Sequence, residues 1–332
     1  MWVGFAISGV ALVLTLRNVD FGQLWAALAG AHLVWLLPAA VFWVISYFAR
    51  ARRWSLFMGY TPFWLTVHAQ NIGYLLNSTL PFRLGEVARA YVIGQKTTVS
   101  MTRALSSIIV ERVLDLAAVV GMFAVFAQYI PMPDSFSRAA LGGAILVFVI
   151  LVLGGLLVWK ADVAEARVLG PIFRRISPTL AAKLLPKIHE VTAGFRAVDS
   201  LRKLAAVAVY TVALWGGVVV FTYFVMLAFL PARMAAAGLT LVSANLGGAL
   251  PSAPGGLGIV QGFATTALVA PFHIPEEPAL AFVFVWSLGQ QLLLIVMGLV
   301  SLARVGMTFD QVRHGTPPPE NAENSGVPAK TD

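Results

Sequence analysis

The chain has 332 residues, of which 59% are hydrophobic and 11% charged, with a formal net charge of +8. A soluble domain carries roughly 45–50% apolar and about 25% charged residues, so a water-exposed surface cannot be covered here, and a soluble enzyme or a disordered chain is excluded. There is no cysteine, which removes disulfides, thiolate nucleophiles and iron–sulfur ligation, and none of the histidines (His32, His68, His189, His273, His314) has a metal-ligand spacing.

Long apolar runs without alternation predict an all-α, polytopic membrane protein and not a barrel. Met1–Leu16 is apolar from its first residue and lacks a basic flank and a small-residue cleavage site, so it reads as an uncleaved span. Ala31–Ala49 is the second span. Pro62–Leu80 is apolar but carries Gln70, Asn71, Asn77, Ser78 and Thr79, and Ala104–Ala127 is long enough to cross but contains Glu111, Arg112 and Asp115. Ala139–Trp159 and Leu204–Leu230 are clean spans. Leu239–Ala270 is interrupted by Pro251-Ser252-Ala253-Pro254-Gly255-Gly256, and Ala279–Ala303 is the last span. The transmembrane unit is therefore residues 1–303, followed by a cytoplasmic tail over 304–332 that is polar, Pro-rich and expected to be disordered after 315.

Charge sets the orientation, because Lys and Arg collect on the cytoplasmic side. Arg50, Arg52 and Arg53 follow the second span, Lys96 and Arg103 follow the Pro62 segment, and nine basic residues lie in 160–203. Both flanks of 62–91 are thus cytoplasmic, so that region enters and leaves from one face. Region 239–270 starts and ends at the other face, where Glu276 and Glu277 lie. Each of its halves is about a dozen residues, roughly 18 Å of helix against a hydrocarbon core of about 30 Å. The expectation is six crossings and two re-entrant hairpins entering from opposite faces, with both termini cytoplasmic in the plasma membrane. Within 160–203, Leu180, Leu184, Ile188, Val191, Phe195 and Val198 recur at helical spacing beside Lys183, Lys187 and Arg196. They predict a basic amphipathic helix over 178–198 on the lipid surface, or alternatively one that docks a partner.

The two hairpin tips are alike. One reads Asn77-Ser-Thr-Leu-Pro81-Phe-Arg83-Leu-Gly85-Glu86; the other reads Gly247-Gly-Ala-Leu-Pro251-Ser-Ala-Pro254-Gly255-Gly256-Leu-Gly258. A span–hairpin–span unit thus occurs twice in opposite orientation, which is the layout of secondary transporters whose broken helices form the substrate site. Pro81 restarts a helix, and Gly255 and Gly256 allow positive φ and close backbone approach; the freed N–H groups can hold an anion such as a lipid phosphate, the alternative being that the glycines serve only to make the turn. Arg83, Glu86 and Arg89 share one helix face; Glu111, Arg112 and Asp115 share another. Three basic and three acidic groups make a neutral set. An ionised group at mid-depth costs about 2.5–3.5 kcal/mol on insertion scales, so pairing between the Glu86 and Glu111 helices is expected, with some members lining a headgroup path. Gln261 implies that the second hairpin offers hydrogen bonds and no charge. Trp2, Trp25, Trp35, Trp43, Trp54, Trp64 and Trp159 read as interfacial anchors.

Asn77-x-x-x-Pro81-x-Arg83-x-Gly85-Glu86-x-x-Arg89-Ala90, the helix Val110-Glu111-Arg112-x-x-Asp115, the tip Leu250-Pro251-x-x-Pro254-Gly255-Gly256-Leu257-Gly258, and Arg53-Trp54 resemble the motifs of the lysylphosphatidylglycerol synthase transmembrane, flippase-like family, including its UPF0104-type integral membrane proteins. The resemblance runs to about Ala303. It implies lipid transfer between leaflets, with a site drawn from Asn77, Arg83, Glu86, Arg89, Glu111, Arg112, Asp115, Pro254, Gly255, Gly256, Gly258 and Gln261. It also implies a transporter, not an enzyme, without the aminoacyl-transferase half of the synthases. Gln261 stands where the family usually has Glu, and Trp286-Ser287 where many members have an aromatic followed by Arg or His, so the lipid is not implied. The reading is a flippase for a phospholipid or polyprenyl-linked lipid. It needs no cofactor, since no P-loop is present, and it involves no metal and no nucleic acid. A membrane enzyme acting on a lipid phosphate, or a non-transporting partner of a lipid synthase or glycosyltransferase, are the alternatives.

Overall fold

The computed structural model describes residues 2–17, 19–59, 61–80, 84–129, 200–250 and 253–314, with isolated positions between 142 and 175. Pro81, Arg83 and Pro251, most of the expected span 139–159, the expected helix 178–198 and the tail after 314 lie outside these residues. Every regular element among the described residues is helical: α1 (Trp2–Leu16), α2 (Phe21–Ala29), α3 (Leu36–Met58), α4 (Phe63–Thr79), α5 (Gly85–Lys96), α6 (Met101–Ala127), α7 (Leu201–Leu227), α8 (Met234–Ala249), α9 (Ile259–Phe272), α10 (Glu276–Val305) and α11 (Phe309–His314), with 3-10 turns at Leu33–Trp35 and Pro254–Gly256. Leu33–Met58, Leu201–Leu227, Pro254–Phe272 and Glu276–Val305 are long and apolar enough to cross a membrane.

Helix ends follow local chemistry. The Asp20 carboxylate accepts from the N–H groups of Gly22 and Gln23 at the start of α2, and the Ser100 and Ser200 hydroxyls cap α6 and α7 in the same way. The first arms, α4 and α8, both stop one residue before a Leu-Pro pair. Leu80 and Leu250 are extended, as a residue preceding proline must be, and their N–H groups close the helix ends on Leu76 and Gly247. The second hairpin begins at Met234, five residues earlier than expected, so its arms are 16 and 14 residues long. Gly255 and Gly258, both at positive φ, break Pro254–Phe272 and leave α9 as about 21 Å of continuous α-helix.

The packing pairs are regular: α3 lies on α7, α4 on α5, α8 on α9, α4 on α10, α8 on α6, α5 on α6 and α9 on α10. Small residues set these approaches, as van der Waals packing in lipid requires. A Cβ on Gly217 of α7 would meet Ser46 of α3 at 3.0 Å. One on Gly85 would lie 1.9 Å from the Gly73 carbonyl, one on Gly298 would lie 2.5 Å from Leu75, and one on Gly238 would lie 2.2 Å from Phe126. Level along α10 gives depth. His68 of α4 meets Ser301 near the end of α10, whereas Gly255 sits against Gln291, close to the midpoint of its 30 residues.

Of the expected tryptophan anchors that are described, Trp25, Trp35 and Trp64 are exposed, but Trp43 and Trp54 are buried. Trp43 stacks on Tyr47 at 5.0 Å; the Trp54 N–H donates to Ser107 and its ring lies under Arg89 at 4.5 Å. Trp54 is a core residue because α3 continues past the apolar run to Met58, and Trp43 is one because its face of α3 packs on α7 with Leu214, Trp215 and Val219.

Candidate functional site

The two broken segments open into one cavity of about 850 Å3. Asn77, Ser78 and Leu80 of the first tip and Leu250, Ala253, Pro254, Gly255 and Gly256 of the second line it. The first tip is held by Asn77, whose side-chain oxygen accepts from the Gly85 N–H at 2.8 Å across the gap. The second is fastened from two sides: the Ala253 N–H donates to Ser8 of α1 at 2.8 Å, and the Gly258 N–H donates to Gln261 at 2.7 Å.

Behind the first tip lies an ionic cluster. Glu111 of α6 is 0% exposed and has guanidinium nitrogens of Arg89 at 3.0 Å and Arg50 at 3.2 Å. Asp115, one turn on, accepts from Arg53 at 2.6 Å, Arg50 at 3.2 Å and the Trp215 N–H at 3.2 Å. Arg112 lies 3.7 Å from Glu86, 3.6 Å from Glu111 and 3.7 Å from Asp115, too far for hydrogen bonds. Four guanidiniums therefore face three carboxylates. Arg53 Nε, Arg89 Nη2 and Glu111 Oε2 are buried without a hydrogen-bond partner.

This adds Arg50 and Arg53 to the expected ionic set, whose Arg83 lies outside the described residues. Arg50 and Arg53 are not in a cytoplasmic connection; they lie on α3, three residues apart, facing α6. The pairing between the Glu86 and Glu111 helices is present, as Arg89–Glu111 and Arg112–Glu86. Of the residues singled out from sequence, Asn77, Glu86, Arg112, Pro254, Gly255, Gly256 and Gln261 line the cavity. Arg89, Glu111 and Asp115 are buried behind its wall. Gly258 is instead packed on α1, where a Cβ would lie 2.5 Å from the Ser8 carbonyl. Arg83 is outside the described residues.

Sequence reasoning missed the second wall. Asn245 of α8 and Gln290 and Gln291 of α10 face the cavity beside Gln261, whose amide donates to Ser287 at 3.0 Å. Rings of Trp43, Tyr47, Tyr74, Trp215 and Trp286 complete the lining. The match of Arg53-Trp54 to the family motif and the i, i+3 spacing of Arg50 and Arg53 were the signals that could have found the α3 contribution.

No solved structure matches the chain. The UPF0104 membrane protein PH1989 of Pyrococcus horikoshii is 28% identical over 292 residues, covering 77% of this chain and 83% of that protein. The UPF0104 membrane protein MJ1078 of Methanocaldococcus jannaschii is 28% identical over 93 residues, 26% of this chain and 39% of that protein. The family described as the lysylphosphatidylglycerol synthase TM region matches residues 1–298, and with its helical spans and the two broken segments around one polar cavity, this chain is a membrane-spanning member of that family.

Proposed function

We propose that the protein moves a phospholipid or polyprenyl-linked lipid between membrane leaflets, with the headgroup in the cavity between the two tips. The observation that carries this reading is a cavity with ionised and amide groups in a partly apolar lining, at the midlevel of a long apolar helix and lined by both breaks. Ionised groups at membrane depth are costly and mark pathways when they face a cavity.

In this reading the chain is two span–hairpin–span repeats of opposite orientation, and both hairpins are re-entrant. The packing supports it: exchanging α3 with α7, α4 with α8, α5 with α9 and α6 with α10 turns each of the seven pairs named above into a member of the same set, α3–α7 into itself. The first arm of each hairpin also begins beside the end of the other repeat's last span, His68 at Ser301 and Gly238 at Phe126. The same reading has both termini cytoplasmic in the plasma membrane; on the C-terminal side it is supported by the packing of α11, carrying Arg313, on α5, whose last turn carries Lys96.

The test is leaflet accessibility of labelled lipids in vesicles containing the reconstituted protein. Movement should occur without nucleotide and should fall about a hundredfold or more in Arg112→Gln and Glu86→Gln, each folded by size exclusion. Chemical turnover of the lipid without movement would replace this reading with a membrane enzyme. Neither, with a lipid synthase or glycosyltransferase co-purifying, would replace it with a partner subunit.

A further inference from the structure

The two cavity walls differ in chemistry. On the first-repeat side the described ionisable side chains in the lining are Arg50, Arg112 and Glu86, which carry one excess positive charge. The four groups behind them, Arg53, Arg89, Glu111 and Asp115, are two cations and two anions and cancel. Arg112 is 46% exposed, and its guanidinium makes no hydrogen bond to the three carboxylates around it. It can therefore turn its fork to a phosphate without losing a bond. On the second-repeat side the lining has no charge among the described residues. It offers the amides of Gln290 and Gln291 and the side-chain oxygen of Asn245, whose amide nitrogen donates to Leu241 at 2.8 Å, beside the Trp286 ring; the Ser287 hydroxyl is taken up by Gln261 and the Val283 carbonyl. The second carboxylate an ammonium group would need is missing. Glu86 is the one described carboxylate in the lining, and it lies 3.7 Å from Arg112.

Resting on the lipid reading above, we infer that the site selects a phosphate lipid whose headgroup is uncharged and carries two or more hydroxyl groups, and that it rejects an aminoacylated or other ammonium-bearing headgroup. The phosphate sits between Arg50 and Arg112. Amides donate and accept at once, as hydroxyls do, so Gln290, Gln291 and Asn245 match a polyol. The Trp286 indole N–H is already given to Thr222 at 2.9 Å, which leaves its ring as an apolar platform for the C–H face of the headgroup. The phosphate cancels the one excess cation, so the one or two positive charges of a lysyl group meet no carboxylate among the described lining residues beyond Glu86, at a place where the dielectric is low. The same chemistry is offered by glycerol- or inositol-type phospholipids and by glycosylated isoprenoid phosphates.

The test is equilibrium binding to the full chain in detergent micelles, read by native mass spectrometry. The lipids are phosphatidylglycerol, phosphatidylinositol and a hexosyl phosphoprenol against lysyl-phosphatidylglycerol and phosphatidylethanolamine. At least one polyol lipid should bind about tenfold or more tightly than either amine lipid, and whether the acyl or the prenyl member binds separates the two sources. Gln290→Leu with Gln291→Leu should erase the preference while leaving phosphate lipids bound. Gln290→Glu should shift it towards lysyl-phosphatidylglycerol. Equal binding of polyol and amine lipids, tighter binding of the amine lipids, or no lipid bound at all overturns the inference. Vesicle transport is scored separately. Selective binding without movement removes the flippase reading and leaves this one standing, whereas movement without selectivity does the reverse.

Discussion

Glu111→Gln should destabilise the protein more than any other single change at the cluster. The carboxylate is fully buried with four guanidiniums at 3.0, 3.2, 3.6 and 3.9 Å. Each such pair has a gross attraction of about 4 kcal/mol at an effective dielectric near 20, and desolvation of the carboxylate offsets several kcal/mol of the total. Glutamine keeps the shape and withdraws the charge, so the buried cluster goes from one uncompensated cation to two. Removing one partner from a buried pair costs about 3–5 kcal/mol, against a whole-protein stability of about 5–15 kcal/mol. The assay is denaturant unfolding in detergent micelles followed by tryptophan fluorescence, with monodisperse yield as a second readout. Adding Arg89→Gln, which removes the nearest cation, should return about 1–3 kcal/mol of the loss. A Glu111→Gln protein as stable as the parent, or a double variant that is simply additive, would show that the cluster is not electrostatically coupled.

Further outcomes follow from the packing and the caps. Gly85→Ala should lose about 3 kcal/mol or more, because its Cβ would meet the Gly73 carbonyl at 1.9 Å and Asn77 Oδ1 at 2.6 Å, whereas Gly216→Ala, with nothing within 4 Å, should be neutral or stabilising in the same unfolding assay. Gly298→Ala should push α4 off α10, since its Cβ would stand 2.9 Å from the Asn71 carbonyl; faster proteolysis after Thr61 would report it. The N–H groups of Gln23 and Gly22 hold the Asp20 carboxyl below the ordinary carboxylate range. A folded pKa below the unfolded one gives stability that is present above about pH 4 and lost as pH falls through the folded value. The emission of Trp25, 72% exposed on α2, should therefore hold steady down to about pH 4 and change below it, and Asp20→Asn should flatten that change. Identical profiles for the two proteins would rule out the cap as the cause.

The helix breaks were legible because proline and glycine act locally: a residue before proline is extended, and Gly255 and Gly258 take a φ that other residues avoid. Pairing between α5 and α6 was legible from the i, i+3 and i, i+4 spacing of unlike charges. Arg50 and Arg53 were not, because charge counting assigns an arginine to the nearest span end. Here the helix runs on to Met58 and carries both inward. The amide wall was invisible for the opposite reason. Gln290 and Gln291 are neutral and sit within an apolar run, so neither hydropathy nor charge flags them, and only the turn of α10 towards the second tip gives them a role.

The division of the cluster into a tight and a loose layer resolves a conflict that any ionised site in a bilayer faces. Charges locked to one another cannot turn to a ligand, and charges left free cannot be carried to mid-depth at about 2.5–3.5 kcal/mol each. Arg53–Asp115 at 2.6 Å and Arg89–Glu111 at 3.0 Å, deep and neutral as a group, tie α3, α5 and α6 together. Arg112 touches three carboxylates and is bonded to none, so it enjoys their field without being held by them. Stability and ligand affinity should then separate. Arg112→Gln removes a half-exposed cation from a cluster that has one too many, so it should unfold within about 1 kcal/mol of the parent while losing phosphate-lipid binding. Glu111→Gln should do the reverse in the fraction that folds, keeping the cavity cations and losing the scaffold. If Arg112→Gln lost stability as Glu111→Gln does, the loose layer would be part of the scaffold, and Arg112 would be no freer to turn to a phosphate than Arg50, which is bonded to Glu111 and Asp115.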